Sequence, residues 1–249
     1  MNAYLASLLR HLNADPRTLT DLGALYHEYS IFGYASQQIE GMFPLNQRCK
    51  SPIISAYIQL AIAKSRKHPD DEVSFAELFC ADGYYAMLAS HFGVTSSIGI
   101  DNDRDKYLDV ARKIAKRMKI ANIRFVKEDV NRIDSMDKVD IVANVGGLYH
   151  VENPVEILAK SYSMAKRYLI VQSVVSLANA DPDYFESPAP GWTWGSRFSR
   201  ESFDNMVARL GYKIVDRHFN ELEGNTRLEE RGSVYYLIEV QSDSTESHV

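Results

Sequence analysis

The chain is predicted to form an α/β domain with a doubly wound, mostly parallel sheet of seven strands, an antiparallel last strand and helices on both faces. Two observations predict this fold. From Val73 onward, short β-rich runs alternate with segments of helical periodicity, the pattern of a parallel sheet covered by crossover helices. Near the end of the chain, two strand-like runs follow each other without a helical segment between them, so they must pair antiparallel.

The order of the elements follows from these patterns. The first five strands are predicted at 73–79, 97–101, 123–128, 139–145 and 167–175. Helical spacing between them is clearest in the apolar set Tyr107, Val110, Ala111, Ile114, Ala115 and Met118. A helix at 200–210 ends before Gly211, a favoured C-terminal cap. The runs YKIVDRHFN and SVYYLIEV complete the sheet.

Residues 1–70 are predicted to form a helical N-terminal extension or cap. One apolar helix face is formed by Leu5, Leu8, Leu9 and Leu12. Ser51-Pro52 indicates the start of a second helix, whose apolar face comprises Ile54, Tyr57, Ile58 and Ala61. The polar stretch KHPDDE separates this extension from the main domain at 71–240, and the polar tail at 241–249 is expected to be disordered.

Composition narrows the function classes. The 249 residues include 28 basic and 33 acidic side chains, a net charge of −5, which argues against general nucleic-acid binding but leaves a local basic groove open. The two cysteines form no CxxC pair, so we expect a reducing compartment and no metal site. With neither a signal peptide nor a membrane-length apolar run recognised, the expected location is cytoplasmic.

The segment FAELFCADGYY (75–85) is predicted to be a ligand loop between the first strand and a helix. In a doubly wound sheet, ligands bind beyond the carboxyl ends of the strands. A dinucleotide site would need several glycines for the pyrophosphate, whereas this loop offers only Gly83 and places Glu77 inside the strand. Such a loop suits a nucleoside ligand with a cationic or zwitterionic end.

Later strands end in residues that suit the same ligand. Asp101 closes the second strand, where a carboxylate can accept both ribose hydroxyls. Asp129 follows the third strand, near the expected place of an adenine amino group. The fourth strand continues into VANVGGLYHVENP, so 144–147 leave the sheet beside the ligand.

These motifs together resemble the class I S-adenosylmethionine-dependent methyltransferases. ELFCADGYY looks like a variant of the family's E/D-x-G-x-G-x-G loop, closest to the form DIGCNDGYY. GIDND, KEDV and GGLYHVENP are similar to its motifs after the second, third and fourth strands. Phe79 and Ala81 stand where the family usually has glycine. The resemblance covers most of 73–240 and implies S-adenosylmethionine as cofactor.

The resemblance implies a set of cofactor contacts, and the sequence around them indicates candidate catalytic and acceptor residues. The expected cofactor contacts are Glu77, Phe79, Cys80, Ala81, Gly83, Asp101, Asn102, Asp129, Val130, Asn144, Val145 and Gly146. His150 is the candidate general base, because unperturbed histidine titrates near ~6.5. The expected acceptor contacts are Tyr149, Trp192, Trp194 and Arg197, the last three in a long segment at 176–199 that is predicted to be a lid.

Each of these residues also has a purely structural interpretation. Asp129 could cap the next segment, His150 could be a structural hydrogen-bonding residue, and Cys80 is a small packed residue more readily than a nucleophile. The tryptophans could anchor their loop, and the N-terminal stretch at 27–43 could either pack on the domain or close over the pocket.

The expected substrate is a small molecule, such as a hydroxyl of a secondary metabolite or sugar. An RNA-modifying enzyme of the same fold and a non-catalytic binding protein with a degenerate cofactor loop are the alternatives. The oligomeric state is left open, with a homodimer as one alternative.

Overall fold

A seven-stranded sheet forms the centre of the molecule in the computed structural model, which describes residues 17–241. The strands are β1 (Ser74–Leu78), β2 (Ser96–Asp101), β3 (Ile123–Lys127), β4 (Val139–Val145), β5 (Ala165–Val175), β6 (Lys213–Glu221) and β7 (Gly232–Glu239). Their spatial order is β6-β7-β5-β4-β1-β2-β3. Strand β7 pairs antiparallel with β5 and β6, and all other pairs are parallel. The predicted sheet is confirmed.

Five α-helices of the described residues cover the two faces of this sheet. They are α1 (Phe43–Ser65), α2 (Tyr84–His91), α3 (Leu108–Met118), α4 (Pro154–Met164) and α5 (Arg200–Arg209). Side chains alternate across a strand, so Phe75 joins the apolar core under α1–α3 while Ala76 joins the core under α4 and α5. Strand order reverses between β1 and β4, and the loops after these two strands therefore border the crevice where such sheets bind ligands.

The N-terminal extension differs from its prediction. Within 17–42, short 3₁₀ turns and two pairs of two-residue strands replace the expected helix, and Leu19, Leu25 and Tyr29 are buried in the core. Helix α1 begins at Phe43, with Pro44 in its first turn, and Pro52 lies inside it. The helix start predicted at Ser51-Pro52 is therefore wrong, because Pro44 has the favoured first-turn position. The apolar stripe predicted for this helix is buried as expected.

Several predictions fall at or beyond the limits of the described residues. The leucine stripe at 5–12 and the tail after Gln241 lie outside 17–241, and the domain boundaries stay predictions.

The 176–199 segment is not wholly irregular, because Phe185–Glu186 pairs antiparallel with Arg197–Phe198. No helix within 17–241 combines the length and the apolar character needed to cross a membrane.

Candidate active site

The loop between β1 and α2 has the backbone conformation of a glycine-rich loop. Phe79, Ala81 and Gly83 all have positive φ, at 57°, 44° and 79°. Left-handed backbone costs a residue with a Cβ roughly 1–2 kcal/mol, so Phe79 and Ala81 keep the loop's shape against their own preference. Gly83 is further required because an added Cβ would lie 2.3 Å from Cε1 of Phe125.

The side chains of Glu77 and Asp101 hold this loop in place by accepting hydrogen bonds from backbone N–H groups. Glu77 is buried, and its Oε2 accepts the backbone N–H of Ala86 at 2.7 Å in the first turn of α2. Burial raises the pKa of Glu77 well above its usual range. Asp101 accepts the N–H of Ala81 through Oδ2 at 3.1 Å and that of Asp103 through Oδ1 at 2.7 Å. The ends of β1 and β2 are thereby joined through side-chain hydrogen bonds.

A cavity of about 430 Å³ opens above these strand ends. This volume lies within the ~300–1,000 Å³ range of small-molecule sites. Most of the predicted residues line it: Glu77, Phe79, Ala81, Asp101, Asn102, Asp129, Val130, Val145, Gly146, Tyr149, His150, Trp192, Trp194 and Arg197. The structure therefore brings the cofactor motifs, the candidate base and the predicted acceptor residues to one cavity.

Three predicted cofactor residues do not line this cavity. Cys80 is buried, and its Sγ would lie 2.9 Å from a Cβ added at Gly99, so the thiol packs beneath the loop. Gly83 supports the turn into α2. Asn144 donates through Nδ2 to Oγ of Ser161 in α4 at 2.9 Å, which turns its side chain away from the cavity. The side chains of Cys80 and Asn144 thus have packing roles, because consecutive positions near a strand end point to opposite sides of the sheet.

Asp129 both caps the 3₁₀ turn that follows it and lines the cavity. Its Oδ1 accepts the backbone N–H of Asn131 at 2.8 Å and so caps the 3₁₀ turn at Val130–Ser135. It also lines the cavity. Capping uses Oδ1, and a carboxylate retains further acceptor positions for a ligand amino group.

The far end of the cavity has aromatic walls. The indole of Trp194 stacks on the imidazole of His150, with ring centroids 5.1 Å apart, and contacts Trp192 at 5.0 Å. The guanidinium of Arg197 lies 5.5 Å from the centre of the Tyr149 ring. Trp192 Nε1 donates to Glu230, which ties the 176–199 segment to the turn before β7. The tryptophans therefore both anchor their segment and wall the cavity.

His150 differs from an ordinary histidine. Its ring is accessible from the cavity, but enclosure by the protein, and then the positive charges of Arg197, Arg104 and Lys50, lower its pKa to about 4. The expected pKa near ~6.5 is therefore corrected downward. At neutral pH the imidazole is uncharged and has a free nitrogen lone pair.

Comparison with known proteins decides the family. A family model described as a methyltransferase domain matches residues 69–211, more than half of the chain. The chain belongs to this methyltransferase family. The class I assignment made from the four strand-end motifs is thereby confirmed, and the chain is an enzyme of that class.

Solved structures with the same fold span nearly the whole methyltransferase. Magnesium protoporphyrin IX methyltransferase (ChlM) from Synechocystis PCC 6803, solved with bound SAH, matches with a TM-score of 0.60 and 12% identity over 96% of both chains. The N-terminal domain of EvdMO1, solved with SAH bound, matches with a TM-score of 0.63 and 13% identity over 97% of this chain and 98% of that one. No curated protein matches the sequence. At these identities the likeness shows the fold.

The N-terminal part of the methyltransferase contributes cavity residues that sequence reasoning did not single out. Tyr26, His27, Gln38, Phe43, Gln47 and Lys50 line the cavity, together with Gln172, Arg104 and Glu230 from the main domain. The aromatic and glutamine-rich stretch at 27–43 was the available signal, and its interpretation as a cover of the pocket is supported.

A buried pair connects this cover to the cofactor loop. Asp82 is fully buried and accepts from the His27 backbone N–H at 2.9 Å, and its Oδ1 lies 2.6 Å from His27 Nδ1. Tyr29 donates its hydroxyl to the backbone carbonyl of Asp82 at 3.0 Å. His27 also stacks on Tyr84, the first residue of α2. The cover and the loop therefore form one packed unit.

Proposed function

We propose that this methyltransferase transfers the methyl group of S-adenosylmethionine to a small-molecule acceptor bound at the aromatic end of its cavity, a hydroxyl of a metabolite being the favoured acceptor group. The observation that carries this proposal is the single cavity that joins the loop after β1 to the walls formed by Tyr149, Trp192 and Trp194.

The residues present fit S-adenosylmethionine as the cofactor. Carboxylates of Glu77, Asp101 and Asp129 line one end of the cavity, beside a loop with left-handed backbone at 79, 81 and 83. Acidic side chains suit the ribose hydroxyls, the amino group and the positive sulfonium, and they repel a pyrophosphate. Asp101 would accept the ribose hydroxyls, Asp129 would face the adenine, and Glu77 would lie at the methionine end.

The chemistry expected of the protein is alignment and proton removal. S-adenosylmethionine supplies an activated methyl group, so the protein mainly orients the acceptor and excludes water. The aromatic walls formed by Tyr149, Trp192 and Trp194 would orient the acceptor and exclude water. Neutral His150 can take the hydroxyl proton as the acceptor oxygen gains the methyl group, and its stacking on Trp194 fixes the ring plane.

A small acceptor is favoured over nucleic acid. The net charge is −5, and the cavity is of the size of small-molecule sites. The cover at 27–43 and the 176–199 segment both contribute residues to its walls.

The test is a transfer assay with S-adenosylmethionine labelled in the methyl group. The acceptors offered are phenols, sugars, carboxylic acids and bulk tRNA, in separate reactions. We expect label in a small molecule, and His150→Ala should lower kcat by on the order of 10²-fold or more with little change in cofactor affinity. His68→Ala, which removes an exposed histidine, is the matched control. Label found only in tRNA, or cofactor binding without transfer to any acceptor class, would contradict the proposal.

A further inference from the structure

Lys50 is a cation in the cavity wall that has no anionic partner among residues 17–241. It lies in α1 and lines the cavity. Burial lowers its pKa to about 8, and no carboxylate within 17–241 acts to raise it. An ammonium withdrawn from bulk water and left unpaired destabilises a folded protein. Such a group is therefore suited to a ligand that brings the missing negative charge.

Arg197 is a second cation with unused donors. It is 3% exposed, and its Nε has no hydrogen-bond partner in the part of the chain that the structure describes. One Nη1–H donates to the carbonyl of Ser196 at 3.1 Å, and Nη2 lies 3.7 Å from Oε1 of Glu230, beyond hydrogen-bonding distance. Glu230 is also shared with the Trp192 indole and Arg227. The guanidinium therefore retains donors for a ligand.

The charges of the cavity are separated by position. Three cations, Lys50, Arg104 and Arg197, line the cavity and act on the pKa of His150, so they lie at the acceptor end. Arg104 has a partner of its own, because its Nε lies 3.7 Å from Oδ1 of Asp105. The carboxylates of Asp101 and Asp129 belong to the strand ends where the cofactor motifs lie. At the acceptor end, Asp105 offsets the charge of Arg104, and Glu230 offsets one of the two positive charges of Lys50 and Arg197. One negative charge on the ligand would balance the remainder.

We propose that the methyl acceptor carries a carboxylate, which Lys50 and Arg197 bind while Tyr149, Trp192 and Trp194 enclose its apolar body. This inference rests on the proposed function, since it describes the substrate of the same site. A neutral analogue would leave the excess positive charge of Lys50 and Arg197 without a counterion, so the two residues determine specificity as well as affinity.

The tryptophans provide a direct measurement. The chain contains only two, Trp192 and Trp194, and both line the acceptor end, so intrinsic fluorescence reports ligand binding there. The protein is saturated with SAH and titrated with carboxylates and their uncharged amides as matched pairs: benzoate with benzamide, and 4-hydroxybenzoate with 4-hydroxybenzamide. We expect a carboxylate to bind at least about tenfold more tightly than its amide.

Variants assign the difference to the two cations. Lys50→Met and Arg197→Met should each lower carboxylate affinity by about tenfold or more and leave amide affinity unchanged. Lys64→Met is the control, because it removes an exposed charge from the same helix outside the cavity. The thermal midpoint of Lys50→Met should equal or exceed that of the wild type, because the variant removes a half-buried charge that no carboxylate within 17–241 pairs.

Three results would overturn the inference. The first is equal affinity for the members of every pair, including failure of both to bind. The second is a carboxylate preference that survives in Lys50→Met and Arg197→Met. The third is a loss of SAH affinity in Lys50→Met, measured by calorimetry, which would place Lys50 against the methionine carboxylate of the cofactor. Failure of the wild type to bind SAH would instead contradict the proposed function.

Discussion

At the scale of single residues, Asp101 combines a structural and a ligand-facing position. Its carboxylate holds the N–H groups of Ala81 and Asp103, and both of these residues have positive φ. The same side chain lines the cavity. A carboxylate has acceptor positions for the ribose hydroxyls in addition to these two bonds. Removing it should therefore affect the ligand and the loop together.

We predict that Asp101→Ala weakens SAH binding by about ten- to a hundredfold, because charged hydrogen bonds contribute roughly 1.5–3 kcal/mol each. Asp101→Asn should also bind poorly, because an amide keeps only one acceptor oxygen and its NH₂ would face donors. Calorimetry measures the affinity and a thermal melt shows that the fold persists. Asp109→Ala, an exposed carboxylate in α3, is the control. A folded Asp101→Ala protein with wild-type affinity would show that β2 does not hold the ribose.

His150 leads to a pH prediction. Its pKa in the folded protein, about 4, lies below the unfolded value near ~6.5. Between these values the unfolded chain binds more protons, so the free energy of unfolding falls as the pH drops from 6.5 towards 4. Thermal melts should show a smaller loss over this window in His150→Gln than in the wild type. The acid limb of kcat/KM should likewise lie below pH 6.5. Identical pH dependence of the melts in the two proteins would contradict the lowered pKa.

At the scale of elements, the loops after β1 and β4 meet in one contact. A Cβ added to Gly147 would lie 1.8 Å from Cδ2 of Phe79, so the phenyl ring occupies the space that glycine leaves. The backbone of Gly147 itself is ordinary, at φ −119°. Phe79 is therefore held in left-handed backbone opposite a residue with no side chain, and the two positions depend on each other.

We predict that Gly147→Ala displaces the Phe79 ring and lowers both the thermal midpoint and SAH affinity. Adding Phe79→Gly should remove most of this effect, since glycine relieves the clash and suits the positive φ. A double-mutant cycle should give a coupling energy of roughly 0.5–3 kcal/mol. Additive effects of the two substitutions would mean that the loops are independent.

The N-terminal cover depends on the His27–Asp82 pair. We predict that His27→Ala lowers the free energy of unfolding by about 1.5–3 kcal/mol, because it leaves a buried carboxylate without its side-chain partner. SAH affinity should fall as well, since Asp82 belongs to the cofactor loop. Tyr29→Phe, which removes only the hydroxyl that donates to the Asp82 carbonyl, is the matched control and should cost less. Denaturant unfolding and calorimetry measure the two effects, and unchanged SAH affinity in a destabilised His27→Ala would separate the cover from the loop.

At the scale of the whole molecule, the main domain could be predicted from local patterns. Each strand of the sheet is a β-rich run bounded by polar or helical segments, and the strand-end acids Glu77 and Asp101 are recognisable from their place in these runs. Buried strands and amphipathic helices leave such signals because each depends on residues close together in sequence. The cavity residues at the ends of β1 and β2 therefore followed from the sequence.

Contacts between segments that are far apart in the chain could not be predicted from local sequence patterns. His27 and Asp82 are 55 positions apart, and neither lies in a pattern that names the other. Lys50 sits in a helix whose local pattern fits a polar surface position, and only the packing of α1 against the sheet places it in the cavity wall. Residues 17–42 carry buried apolar side chains without regular spacing, so periodicity could not distinguish packed turns from a helix.

The measurement that tests the central claim most directly is calorimetric titration of the wild-type protein with SAH, S-adenosylmethionine and NAD. The acidic strand ends and the glycine-like conformation of the loop at 77–83 predict saturable binding of both sulfur nucleosides at one site per chain, and much weaker binding of NAD. Tighter binding of NAD than of either sulfur nucleoside, or no binding of SAH by the folded protein, would contradict this account.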